Sequence, residues 1–250
     1  MVPMSFIQRI IVILIVTGLS FSCANLDYKY SLIKNHFSIL KNASPISDIK
    51  KNKGLSLQLK ERLDLIKRIK LFAVRNLGLN ETVSYSTYLD LERDAVVWNV
   101  LSVKKNSLSL DRWCYFIAGC FSYKGFYKKE NAESFSKQLV TDKNREIAII
   151  PITAYSTLGW SDFFGGDPVL NTFIWDNETS LVRLIIHEMS HQKVFVNNDT
   201  MFNESLATFI EEKGVKDWYE NSDDVTFQAY LKKKENTIKG TRSYKTLKIS

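Results

Sequence analysis

The feature that most restricts how this chain can fold is an apolar helix that carries two histidines and a glutamate. Residues 177–186 begin with polar residues suited to a helix cap and continue into an apolar helical pattern. His187 and His191 follow four residues apart, which places both imidazoles on one face, one turn apart. Together with Glu188, they would be costly among apolar neighbours without a partner. The pattern therefore predicts a metal site, in which both imidazoles approach one zinc ion at about 2.0–2.1 Å.

A five-residue pattern of this kind also arises by chance in many helices. The chain contains only three histidines, so abundance does not explain two of them at this spacing. Glu188 stands next to the first histidine, where it suits a general base that takes a proton from zinc-bound water and later passes it to the leaving amine. Zinc would lower the pKa of that water to about 7. The motif therefore predicts zinc-dependent hydrolysis of a peptide bond.

A catalytic zinc of this class needs a third protein ligand and one open position. After His191 the chain passes through a turn at residues 197–200 and enters a second helical pattern at 203–210. Such a hairpin can return Glu204 to the histidines, and Glu204 is the predicted third ligand. Glu211, two turns further on, competes as a ligand, but it better suits an acid that orients a histidine. Either glutamate could instead be a solvated helix residue.

The developing oxyanion would require a hydrogen-bond donor near the metal. Tyr155 is the candidate, because it ends a predicted strand and begins a polar loop that contains glycine. A tyrosine at a strand end is more often a packing residue with a wet hydroxyl. The sequence alone does not decide between these two roles for Tyr155.

The N-terminus has the pattern of an export signal. Arg9 precedes an apolar run at residues 10–16, and small residues precede Cys23. The run is too short for a membrane span, which needs about 20 residues. Residues 1–22 are therefore predicted to be a lipoprotein-type signal peptide, with Cys23 lipidated in the bacterial cell envelope and the protein facing the periplasm. Cleavage elsewhere, giving a soluble protein, is the alternative, and Ala24 is a slight indication of the outer membrane.

Export would also bring Cys114 and Cys120 into an oxidising compartment. Their spacing suits a disulfide across a short loop, while two buried thiols remain the equal alternative. The formal charge of +7 is spread along the chain rather than gathered into a stripe. We interpret it as surface solvation, and no nucleic-acid-binding module is predicted.

The rest of the chain predicts a single α+β domain with a helical N-terminal extension. The extension is assigned to residues 23–80 and the catalytic domain to residues 81–250. Helical spacing recurs in the extension, and β-prone runs follow within the catalytic domain. The predicted helices cover residues 28–40, 55–74 and 128–140, and the predicted strands cover 95–100, 114–118 and 146–152.

Several separate blocks of the sequence resemble one known family. They are WNV at 98–100, WC at 113–114, GC at 119–120, YKGFY at 123–127, AYSTLGW at 154–160, DPVLNTF at 167–173, HEMSH at 187–191, DT at 199–200 and FNES at 202–205. In this order they resemble the bacterial putative aminopeptidase family of predicted lipoproteins over about residues 23–218.

The resemblance implies a zincin-like fold with a small sheet, in which the motif helix carries the metal. It also implies a zinc-dependent peptidase anchored to an envelope membrane by its N-terminal lipid and acting on peptides or proteins. His187, Glu188, His191 and Glu204 fall on the family's site. The chain differs in the length of residues 161–166, and it ends at Ser250, sooner than the family, so a shortened C-terminus is expected. The alternative is a catalytically inactive zinc-binding envelope lipoprotein, although Glu188 would have no structural duty in it.

Overall fold

The computed structural model describes residues 26–107, 109–115, 119–140, 144–154, 165–197, 199–220, 228 and 231–232. Cys23 and Tyr155, predicted as the lipidated residue and the oxyanion donor, lie outside the described residues. None of the helices in the described part of the chain is long and apolar enough to cross a membrane.

The chain divides into two compact units. One contains the residues up to Asn42 together with Val97–Pro151, and the other contains Ala43–Val96 together with the chain from Ile152 onward. The segment predicted as an N-terminal extension, residues 23–80, is thus shared between the units. The described elements mix helices with small sheets, as expected for an α+β chain, while the zincin-like fold stays a prediction.

The first unit is built around a three-stranded sheet. Its elements are α1 (Leu26–Asn42), β3 (Val97–Lys104), β4 (Trp113–Tyr115), β5 (Gly119–Phe121), β6 (Lys124–Phe126), α4 (Lys129–Val140) and β7 (Arg145–Ile152). The strand order is β6-β3-β7, and β3 runs antiparallel to β6. A separate hairpin pairs β4 with β5, where Cys114 and Cys120 face each other and are joined in a disulfide.

The second unit is mainly helical. Its elements are β1 (Ser44–Pro45), α2 (Ile46–Ile49), α3 (Leu57–Leu77), β2 (Thr87–Leu89), β8 (Val169–Leu170), α5 (Asn171–Ile174), α6 (Glu178–Lys193) and α7 (Thr200–Trp218). A small sheet has the order β1-β2-β8, with β1 antiparallel and β8 parallel to β2. The helices predicted at residues 28–40, 55–74 and 128–140 are confirmed as α1, α3 and α4.

The core of the second unit lies where α6 packs against α7 and α3. Fully buried apolar side chains on these helices include Leu63, Ile66 and Ile69 of α3, Leu181, Val182, Ile185, Ile186 and Met189 of α6, and Val215 of α7. Burial of each large side chain contributes about 1.5–3 kcal/mol. The apolar pattern that surrounds the histidines in the sequence is therefore the packed face of α6.

Polar side chains fix where the two long helices of the site begin. The Asn177 side chain accepts a hydrogen bond from Ser180 N at the start of α6, and the Asp199 side chain accepts one from Phe202 N at the start of α7. Each such cap contributes about 1 kcal/mol. The chain leaves α6 at Lys193 and enters α7 at Thr200, so a connection lies where the turn at residues 197–200 was predicted, although Thr200 is already helical and Asn198 lies outside the described residues.

Candidate metal centre

His187 and His191 point their ring nitrogens toward the same point beside α6. Their Nε2 atoms are 3.2 Å apart, and the two rings are nearly perpendicular at 85°. This arrangement follows from the spacing of four residues on one helix. Two imidazole nitrogens are thus brought together without a direct contribution from the rest of the chain.

The connection between α6 and α7 brings Glu204 to the histidines. Asn203 is buried, and its side chain donates to Val196 O and accepts from Val196 N, both at 2.8 Å. These two bonds fix the start of α7 against the connecting loop. Glu204, the next residue, then places Oε2 3.3 Å from Nε2 of His187 and Oε1 3.6 Å from Nε2 of His191.

The three side chains converge on one point, as the ligands of a metal ion do. Ligand atoms at about 2.0–2.2 Å from zinc, placed at the corners of a tetrahedron, lie about 3.3–3.6 Å from one another. The two Nε2 atoms have about this spacing at 3.2 Å, and each also has an oxygen of Glu204 nearby, at 3.3 Å from His187 and 3.6 Å from His191, a different oxygen in each case. The group could therefore hold a metal ion, with its ligand atoms all within 4.8 Å of one another. The predicted ligand set is the one that the structure brings together.

Glu211 contacts the opposite nitrogen of the first histidine. Its Oε2 lies 3.0 Å from Nδ1 of His187, and its Oε1 accepts a hydrogen bond from the guanidinium of Arg183. With Nδ1 as the donor, the lone pair of His187 is on Nε2, toward Glu204 and His191. In this geometry Glu211 orients a histidine, the second of the two roles considered for it from the sequence.

The charges around Glu211 shift the pKa of both partners. The hydrogen bond that His187 donates to Glu211 is the largest cause of a raised pKa for His187; the charges of Glu188, Glu211 and Glu204 add to it, and burial opposes it. Burial alone would raise the pKa of Glu211, which is 6% exposed. The hydrogen bonds from His187 and Arg183 outweigh it and lower that pKa. Glu211 therefore stays ionised.

His191 is in a different environment from His187. Burial, followed by the charge of His187, lowers the pKa of His191. Among the described residues, no group hydrogen-bonds its buried Nδ1 atom. The ring is therefore held neutral, which is the form in which an imidazole binds a metal.

Glu188 is half-buried on α6 beside the group. Its negative charge raises the pKa of His187 and also that of the buried Tyr85, so it lies near both. Two residues near the site, Arg183 and Tyr85, were not predicted from the sequence. Arg183 could have been found, because it lies four residues before His187 on the same helix. Tyr85 gives no such local signal, because it comes from the loop before β2.

The comparisons with known proteins give one match. A family model described as "Putative aminopeptidase" matches residues 27–248. No curated protein and no solved structure matches the chain. The family description names a peptide hydrolase, and the match includes α6, α7 and all three residues of the candidate metal centre. The chain therefore belongs to the putative aminopeptidase family.

Proposed function

We propose that this protein is a zinc-dependent peptide hydrolase, acting as an aminopeptidase, with a zincin-like catalytic domain. The observation that carries the proposal is the convergence of His187, His191 and Glu204, whose ligand atoms all lie within 4.8 Å of one another. Two nitrogens and one carboxylate oxygen form a donor set of catalytic zinc sites, in which the fourth position is left to water or substrate. Family membership supports the same class of reaction.

The residues around the centre have different roles in hydrolysis. His187, His191 and Glu204 would hold the zinc ion, which would act as a Lewis acid and activate water for attack. Glu188, adjacent to His187, accepts the proton of the attacking water and delivers it to the leaving amine. Glu211 accepts a hydrogen bond from Nδ1 of His187, which leaves the lone pair of the neutral imidazole on Nε2. This scheme requires no covalent intermediate with the protein.

The N-terminal sequence supports a location in the bacterial cell envelope. We propose that residues 1–22 are removed as a signal peptide and that a lipid on Cys23 holds the protein on the periplasmic side of a membrane, favouring the outer one. Fractionation of cells that produce wild type and Cys23→Ser tests this. The wild type should remain with membranes after washing with high salt, and the variant should not; equal retention would contradict lipid anchoring.

Metal analysis and peptide hydrolysis together test the catalytic proposal. The wild type should bind one zinc ion per chain and hydrolyse peptides with a free amino terminus faster than acetylated ones. Glu188→Gln should keep the zinc and lose hydrolysis, whereas His187→Ala should lose both. His36→Ala is the matched control, because this third histidine lies on α1 in the other unit. It should behave like the wild type.

Each negative result would contradict a different part of the proposal. A wild type without zinc would contradict the metal centre. Zinc retained with no hydrolysis that depends on Glu188, on any peptide tested, would contradict the hydrolase and favour a zinc-binding envelope lipoprotein. Equal hydrolysis of free and acetylated peptides would contradict aminopeptidase action alone.

A further inference from the structure

The helix α1 has an exposed apolar stripe, formed by Tyr30, Ile33 and Phe37. These side chains are 64%, 58% and 46% exposed. Their spacing of three and four residues places them on one face of the helix, over two turns. Phe37 also contacts the ring of His36, and nearly half of its surface remains exposed. Single exposed apolar residues are common on proteins, whereas a contiguous exposed stripe indicates a surface that binds a partner.

The opposite face of α1 packs against its own unit. Ile39 is buried, and the Tyr28 hydroxyl donates to Gly125 O at 2.8 Å. The Tyr28 ring also lies 5.5 Å from the ring of Phe126 in β6. At about 100° per residue, Tyr28 and Ile39 lie on the side of the helix away from the stripe. The stripe is therefore not the face that holds α1 in the fold.

Three exposed lysines border the stripe. Lys34 and Lys41 lie on one side of it and Lys29 lies on the other. They outnumber the single acidic residue of α1, which is Asp27. Lysines beside an apolar helix face extend their ammonium groups toward lipid headgroups, and tyrosine is enriched at the same depth. This composition is typical of helices that lie in the interface of an anionic membrane.

The position of α1 in the chain brings the stripe close to the proposed lipid. α1 begins at Leu26, three residues after Cys23, and three extended residues span at most about 11 Å. Tyr30 and Phe37 lie about 6 and 16 Å further along the helix. A lipid on Cys23 would therefore keep the whole stripe within about 30 Å of its attachment point. Such a tether gives the membrane a high effective concentration at this face.

We propose that the stripe and its flanking lysines form a membrane-binding surface, which lies in the interface of a bilayer that contains anionic lipids. The inference rests on the proposed lipid at Cys23, to which it adds a second contact. Stable attachment of a protein to a membrane commonly combines a lipid with a basic or apolar surface beside it. With the stripe in the interface, the axis of α1 lies along the membrane surface, and this contact fixes how the first unit faces the bilayer.

Vesicle binding without the lipid measures the contribution of α1. In full-length Cys23→Ser, which cannot carry the lipid, Tyr30, Ile33 and Phe37 are replaced together by serine. We expect binding to vesicles of phosphatidylethanolamine and phosphatidylglycerol to weaken roughly 10- to 100-fold, because three apolar side chains no longer enter the interface. Cys23→Ser itself should bind vesicles of phosphatidylcholine more weakly, because these lack the negative charge that attracts the lysines.

The matched control replaces three equally exposed apolar residues of the other unit in the same Cys23→Ser background. Leu57, Trp175 and Phe209 are 71%, 52% and 65% exposed. Their replacement by serine should leave vesicle binding unchanged. Both triple variants contain residues 1–22, so a difference between them does not come from that segment.

A fluorescent label locates the contact on the helix. In Cys23→Ser, Ile33→Cys supplies a free thiol, since Cys114 and Cys120 are joined in a disulfide. An environment-sensitive label on it should shift to the blue when vesicles are added, and spin-labelled lipids should quench it. A label on Ser38→Cys, which is also exposed but lies about 140° round the helix, should respond much less.

Equal vesicle binding by the two triple variants, or equal responses of the two labels, would overturn the proposal. It would also be overturned if Cys23→Ser sedimented as a dimer without vesicles and the serine replacements in α1 made it monomeric, since the stripe would then pair two copies of the chain. Equal membrane retention of wild type and Cys23→Ser in cells would contradict the lipid anchor. The vesicle measurements would still decide whether α1 binds the membrane.

Discussion

Nδ1 of His187 lies 3.0 Å from Oε2 of Glu211, and the other oxygen of Glu211 is bonded to Arg183. This contact joins α6 to α7 directly behind the candidate metal centre. It fixes the proton of His187 on Nδ1 and leaves Nε2 to face His191 and Glu204. Through this contact Glu211 orients the His187 ring and determines which ring nitrogen carries the proton.

The first prediction concerns the pH dependence of zinc binding. Zinc requires His187 unprotonated, and Glu211 is the largest cause of its raised pKa. As the pH falls, protons therefore displace zinc from the wild type at a higher pH than from an ordinary histidine site. In Glu211→Gln the charge is lost, the pKa of His187 falls, and the decline in affinity should move to lower pH. At high pH the variant should bind roughly 10- to 100-fold more weakly.

Competition with a chromophoric zinc chelator, between about pH 5 and 8, measures both effects. Glu220→Gln is the control, because Glu220 is exposed and lies beyond the end of α7. It should follow the wild-type curve. Parallel curves for the wild type and Glu211→Gln would show that Glu211 does not set the protonation of His187.

Local periodicity explains why much of this centre could be predicted from the sequence. The spacing of four residues places His187 and His191 together on any helix. The turn at residues 197–200 returns the chain, so Glu204 could be assigned before its position was known. The distance along one helix face also suggested an orienting role for Glu211. These predictions depend on helix geometry, which is the same in every fold.

Other features depend on contacts between distant parts of the chain. Tyr85 N donates a hydrogen bond to Asp167 O, and no local pattern in the sequence predicts that pairing. The division of the chain into units has the same origin. The helix predicted at residues 55–74 forms as α3, and it packs against α6. Periodicity identifies such a helix without identifying its partner.

The second prediction concerns the close approach of α7 to α6 at Gly214. A Cβ at this position would lie 2.5 Å from Cδ1 of Ile186 and 2.9 Å from Cδ1 of Leu77. Alanine is a better helix former than glycine by about 1 kcal/mol, whereas overpacking a core costs about 1–3 kcal/mol. We therefore expect Gly214→Ala to lower the free energy of unfolding by about 1 kcal/mol, measured in urea.

A second substitution, in the residue that the new methyl group would contact, tests this steric explanation. Ile186→Val removes the Cδ1 atom that the new methyl group would meet most closely. In that background Gly214→Ala should cost less than in the wild type, because the closest remaining contact is with Cδ1 of Leu77 at 2.9 Å and the gain in helix propensity is unchanged. Gly54→Ala, at an exposed position where the added Cβ makes only ordinary contact with Asn52, controls for glycine replacement as such. An equal loss in both backgrounds would refute the steric explanation.

The third prediction ranks the two glutamates of α7. Glu204→Gln replaces a carboxylate whose oxygens lie 3.3 and 3.6 Å from the two Nε2 atoms. Glu211→Gln alters only a partner of Nδ1. We expect the loss of zinc affinity at pH 8 to be greater for Glu204→Gln than the roughly 10- to 100-fold expected for Glu211→Gln. Chelator competition on both variants measures the ranking, and the reverse order would make Glu211 the ligand.

The fourth prediction concerns the disulfide between Cys114 and Cys120, which are six residues apart in the β4–β5 hairpin. Closing so short a loop restricts the unfolded chain and stabilises the folded state by about 2 kcal/mol. Replacing both cysteines with serine should lower the free energy of unfolding by that amount, as should reduction of the wild type. Zinc affinity should not change, because all three proposed ligands lie in the other unit. If removing the disulfide weakened zinc binding, the centre would have to depend on the first unit, contrary to a site built entirely from α6 and α7.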